Sequence, residues 1–179
     1  MRIDELNALD AATARATLAP AADVGWWLDA LVAGRPYPDA QALLALAATE
    51  AARWTDADVE GALAHHPRIG ERPTGDGPEA ALSRREQGAI RSGTDGTDAS
   101  DASDPADLER AIAAGNAAYE DRFGRVFLIR AAGRSRPEIL AELDRRLTND
   151  PDAERAEVHD QLTQIALLRL EGLLEGSTT

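Results

Sequence analysis

Val126-Phe127-Leu128-Ile129 is the only run in this 179-residue chain that reads as both extended and apolar. Four residues with no second run to pair against cannot build a sheet, since even a two-stranded hairpin is marginal in water. On either side of the run, apolar residues recur at three- and four-residue spacing, the pattern of amphipathic helices. The chain therefore reads as all-α, a single domain over residues 1–179 with seven to eight helices.

The helices around the run announce their starts. Asp104-Pro105 gives a cap followed by proline in the first turn, and Leu108, Ile112, Gly115 and Tyr119 share a stripe before Gly124. Ser135-Arg136-Pro137-Glu138 opens a helix to Leu147, and Asp150-Pro151 opens the last, to about Glu175. Nearer the N-terminus, Asp10 caps a helix from Ala11 to about Leu18, closed by Pro20. Asp23 is expected to begin a second, carrying Trp26, Trp27, Leu28, Leu31 and Val32 before Gly34. Asp39 caps a third, with Leu43, Leu44, Leu46 and Trp54 on its apolar faces. The three tryptophans read as core anchors. Thr55-Asp56-Ala57-Asp58 pairs a hydroxyl cap with an acid three residues on, and Pro67 ends that helix at His66. Gly70 to Pro78 reads as a loop, followed by a helix from about Ser83 to Arg91. The acidic stretch over about 93–104 has no large apolar residue to offset its ordering entropy, and is expected to be a mobile surface loop.

Composition excludes several kinds of chemistry. The absence of cysteine removes disulfides, thiolate metal sites and a cysteine nucleophile. All nineteen basic residues are arginine, so no lysine can form a Schiff base or anchor pyridoxal phosphate. A net charge of −13 opposes nucleic acid or anionic lipid as a partner. No apolar run approaches a membrane span and no signal peptide is visible, so the expected setting is soluble and intracellular. From His65 to Arg91, five arginines face Glu71, Asp76, Glu79 and Glu86, a local balance of +1 that would tolerate a small anionic substrate.

Four places could carry chemistry. His66, between a helix end and Pro67, is an imidazole aimed by its backbone; it reads as a proton-transfer group or as a helix C-cap favoured by the dipole. Ser83-Arg84-Arg85-Glu86-Gln87 has the form of a capping box, and a helix N-terminus also offers free amides to an anion or carbonyl. Arg169 lies on the apolar stripe of the last helix, among Val158, Leu162, Ile165, Ala166 and Leu173. A core-facing arginine needs a partner, either a structural carboxylate or a ligand with carboxylate or amide oxygens. His65, His66 and His159 lack any metal-binding spacing, so no metal is expected.

His66-Pro67-Arg68-Ile69-Gly70, Ser83-x-x-Glu86-Gln87, Asn116-Ala117-Ala118-Tyr119 running into Phe123-Gly124-x-x-Phe127-Leu128-Ile129, and a long final helix with Arg169-Leu170 follow one another in order. Together they resemble the decarboxylases of 2-oxo-4-hydroxy-4-carboxy-5-ureidoimidazoline (OHCU), which complete the ureide route from urate to allantoin. The resemblance covers most of the chain, from the Trp26-Trp27 helix to Leu174. It implies a cofactor-free, all-helical enzyme, usually a homodimer, acting on a small anionic ureide. It also implies His66 as catalytic acid or base with Glu86 as its partner. Pro67, Ser83, Gln87, the backbone of Phe127, Leu128, Ile129, Arg130 and Ala131, and Arg169 would line the substrate pocket. Arg125-Val126 stands where many members carry an aromatic and a proline, and Arg130 where an apolar residue is frequent. The chain ends Gly176-Ser177-Thr178-Thr179, without a Ser-Lys-Leu peroxisome signal, which points to a cytoplasmic member.

That chemistry suits this inventory of side chains. Decarboxylation needs a sink for an electron pair, and this substrate carries one, a ring C=N beside the carbon that bears the carboxylate. The protein has only to hold the carboxylate out of the ring plane and manage protons. Two other readings remain: a hydrolase that uses His66 and Glu86 to activate water on a related ureide, and a non-catalytic helical interaction module.

Overall fold

The computed structural model describes residues 1–64, 68–69 and 105–175. Among these, eight helices and no strand form the architecture: α1 (Ile3–Ala8), α2 (Ala11–Leu18), α3 (Gly25–Ala33), α4 (Ala40–Ala51), α5 (Asp56–Leu63), α6 (Pro105–Phe123), α7 (Arg136–Arg146) and α8 (Pro151–Glu175). The all-α expectation holds. The chain divides into two compact units, Met1–Ala64 with His159–Thr179, and His65–Val158.

In the first unit the caps behave as local chemistry dictates. The Asp10 carboxylate accepts from Thr13 N and that of Asp39 from Ala42 N. Thr55 and Asp58 satisfy each other's backbone amides as a capping box. Trp27 is fully buried, donates its indole N–H to Ala47 O and meets Trp54 edge-on with centroids 5.4 Å apart. Trp26, the next residue, is turned outward by the helical period and is 36 % exposed; its indole donates to Asp58 and Arg53 lies over its ring. It is therefore not the core anchor expected.

Another expectation needs correcting here, and one helix lies where none was expected. Asp23 does not cap α3: the N-cap is Val24, and Asp23 is exposed. Ala21, Ala22 and Val24 are buried, so the chain turns through the core until the helix starts at Gly25. The second difference is α1, a six-residue helix with one buried side chain, Leu6, too short to show a period. Distant residues hold it. Arg35 Nη1 donates to the carbonyls of Leu6 and Leu9, while Asn7 exchanges two hydrogen bonds with the backbone of Tyr37. Carbonyls at a helix end need such partners.

The second unit is built around Tyr119, Phe127, Ile129, Ala131, Ile139 and Leu143, with Ile69, Phe123 and Leu147 packed against them. Gly124, with φ of +69°, ends α6 in the left-handed region that favours glycine. Gly115 has a different task. A Cβ there would come within 2.5 Å of Leu143 Cδ2, so the missing side chain is what lets α6 and α7 pack this closely. Ser135 and Glu138 make a capping box with Pro137 in the first turn of α7, as the sequence predicts. Helix α8 belongs to this unit up to Val158 and to the first unit beyond it.

Candidate functional site

Phe127, Leu128, Ile129 and Ala131 are buried and Arg130 is half-buried. In an extended run alternate side chains face alternate ways, and the core packing here has that period of two. Phe127, Ile129 and Ala131 enter the hydrophobic core of the second unit, and Leu128 and Arg130 fall between them. With no strand beside it among the described residues, such a run must find partners for its backbone groups elsewhere.

Helix α7 supplies one. Ile139, Leu143 and Arg146 recur at four- and three-residue spacing on the buried face of α7, which carries a guanidinium into the core. Arg146 Nη1 donates to Leu128 O at 2.7 Å. Its planar group lies over the Phe127 ring, 4.7 Å from the centroid, and near the ring of Tyr119 at 5.7 Å.

The charge is met by Glu154 in the first turn of α8. Arg146 Nε and Nη2 both donate to Glu154 Oε1, and both side chains are essentially inaccessible to water. The Tyr119 hydroxyl donates to the same oxygen and accepts from Arg146 Nη2, while Asn149 Nδ2 donates to Glu154 Oε2. Burial raises the Tyr119 phenol far above its ordinary value, and the bond to Glu154 adds to that shift. The cluster is thus a buried ion pair with a phenol bonded to both partners.

Helix α6 holds the two residues that follow Pro67. Arg68 makes a fork-to-fork pair with Glu120, Nε to Oε1 at 2.5 Å and Nη2 to Oε2 at 2.7 Å. This pairing lowers the pKa of the Glu120 carboxyl. Four residues earlier on the same helix, buried Asn116 donates Nδ2 to Ile69 O at 2.9 Å.

Arg169 lies in the first unit, 3 % exposed among Ile165, Ala166 and Leu170, and its Nη1 donates to Pro20 O at 3.3 Å. The core-facing position expected from its spacing is confirmed. His159 meets Trp54 edge-on, 6.0 Å between ring centroids. Among the described residues no group of His, Asp and Glu is arranged to hold a metal ion, and no helix is long and apolar enough to cross a membrane. His65, His66, Pro67, Ser83, Glu86 and Gln87 lie outside the described residues, as does the stretch 93–104.

Arg146 and Glu154 were not singled out by the sequence, and Asn116 entered only as the first residue of a motif, without a role. The signal for the first two was present. Arg146 lies on the stripe of Ile139 and Leu143, and Glu154 is four residues before buried Val158, the same test that picked out Arg169.

A family model described as OHCU decarboxylase matches residues 7–171. A 2-oxo-4-hydroxy-4-carboxy-5-ureidoimidazoline decarboxylase of Amia calva is 32 % identical over 150 residues, covering 84 % of this chain and 81 % of that protein. The crystal structure of an OHCU decarboxylase in the presence of (S)-allantoin superposes with a TM-score of 0.63 at 22 % identity, over 86 % of this chain and 94 % of the other. The crystal structure of an (S)-allantoin synthase gives a TM-score of 0.68 at 18 % identity, over 98 % of this chain and 55 % of the other. At those identities the two structures speak to the fold.

Proposed function

Because the chain belongs to the OHCU decarboxylase family, and so is a decarboxylase of urate catabolism, we propose that it converts 2-oxo-4-hydroxy-4-carboxy-5-ureidoimidazoline to (S)-allantoin. The observation that carries this reading is the family match over residues 7–171, which spans all the ordered motifs from His66 to Arg169.

His66 is the acid or base at the reacting centre and Glu86 its partner. The bond between the ring carbon and the carboxylate breaks and carbon dioxide leaves. The electron pair enters the adjacent ring C=N, giving an enol-like intermediate. One proton is taken up in all, and delivery to a single face of the ring carbon bearing the ureido group yields the S product. Pro67, Ser83, Gln87 and the Phe127 to Ala131 backbone line the pocket. Arg169 turns its fork to the substrate's oxygens, a role supported by its position on the buried face of α8. The reaction needs no cofactor, because the substrate holds its own electron sink. The working form is a cytoplasmic homodimer of single-domain chains.

The test is a contrast between neighbours, with turnover of freshly generated substrate followed by circular dichroism. His66→Asn, similar in shape but unable to titrate, is expected to abolish enantioselective turnover in a folded protein. Glu86→Gln should cost on the order of 10²–10⁴ in rate. His65→Ala should be tolerated. Equal losses at His65 and His66 would show that local structure, rather than proton transfer, is at stake.

A further inference from the structure

We infer that Arg146 is a positioning residue for substrate binding, which sets the Phe127 to Ala131 peptide edge through its bond to the Leu128 carbonyl and its stacking on Phe127. This rests on the reading that the backbone of that segment lines the pocket.

A ureide presents amide-like N–H groups and carbonyl oxygens, and an extended peptide edge offers the complementary carbonyls and amides. Such an edge recognises a ligand only if its direction is fixed. In a sheet, neighbouring strands fix it; here no strand is present among the described residues, and the fixing falls to side chains. Arg146 grips two consecutive residues in different ways, Phe127 by the face of its ring and Leu128 by its carbonyl. Successive carbonyls of an extended run point to opposite sides. Tying down Leu128 O therefore sets the orientation of the groups on the other edge. Glu154 and Tyr119 hold the guanidinium in turn, so it has no freedom to follow the segment if the segment moves. A lysine cannot reproduce this, because a point charge cannot bond Leu128, Glu154 and Tyr119 along a rigid fork.

The experiment compares wild type, Arg146→Lys and Glu154→Gln in steady-state turnover, and in amide hydrogen exchange over residues 127–131 with and without saturating (S)-allantoin. Wild type should show protection of this segment by (S)-allantoin. In Arg146→Lys, KM should rise about tenfold with kcat within about threefold, and the protection should be lost. Glu154→Gln, which keeps the shape of the side chain, should move both readouts the same way and decides the matter if Arg146→Lys does not fold. A folded variant with wild-type KM and undiminished protection overturns the inference alone. If (S)-allantoin fails to protect the segment in active wild type, the pocket reading falls, and the inference falls with it.

Discussion

Arg146 and Glu154, eight residues apart on α7 and α8, form an ion pair sealed from water, with Nε and Nη2 at 2.9 and 2.5 Å from a single carboxylate oxygen. A buried pair is no simple gain in stability, because desolvating two charges offsets most of their attraction. Breaking it from one side is what costs. Glu154→Ala should destabilise the protein by about 3–5 kcal/mol, since the guanidinium loses its counter-charge in the core. Arg146→Met combined with Glu154→Leu should recover much of that loss. Urea denaturation of Arg146→Met, Glu154→Leu and their double, beside Glu154→Ala, measures this; additive effects of the two component singles would contradict a coupled pair.

The two tyrosines should resist ionisation. Burial raises the Tyr37 phenol to about 12 and that of Tyr119 further still, against about 10 in an unfolded chain. A folded pKa above the unfolded one gives stability that is complete below about pH 10 and is lost as pH rises beyond it. Phenolate absorbance should therefore appear together with unfolding, above pH 10. Ionisation near pH 10 in a protein that keeps its helical circular dichroism would contradict the burial of both rings.

Two glycine substitutions should have opposite signs. Gly61 in α5 has open space where a Cβ would go, so Gly61→Ala should stabilise by about 0.5–1 kcal/mol through backbone entropy. Gly115→Ala gains the same entropy but drives a methyl into Leu143, and should destabilise by about 1–3 kcal/mol. Melting temperatures decide. A stabilising Gly115→Ala would mean that Leu143 can swing aside without loss.

These relationships differ in how far sequence reveals them. Caps at Asp10, Asp39, Thr55 and Ser135 were legible because each acts on an amide three residues away. Helix α1 was not, since Arg35 and Tyr37, some thirty residues on, hold it in place. Asp23 was misread for a related reason: burial of Val24 decides where α3 starts, and an exposed carboxylate cannot override the core. The all-α class followed from one isolated extended run, and so did the question of what supports that run. Its answer, Arg146, lay in plain view on the stripe of α7; that it bonds Leu128, eighteen residues earlier, is a fact of three dimensions.

Arg169 separates binding from packing. Arg169→Ala should raise KM, and Arg169→Lys should recover little of it if the planar fork is what the substrate needs. A lowered melting temperature with unchanged kinetics would assign the residue to structure, consistent with its bond to Pro20 O. Full recovery by lysine would reduce its role to general positive charge.

If this chain turns OHCU into one enantiomer of allantoin, its product must be optically active. The most direct measurement is circular dichroism of the product formed when freshly generated substrate meets the wild-type protein, against the same substrate in buffer. A rapidly rising (S)-allantoin signal is expected with enzyme, and only slow, racemic, optically silent product without it. A protein that leaves both the rate and the optical silence of the buffer control unchanged would contradict it.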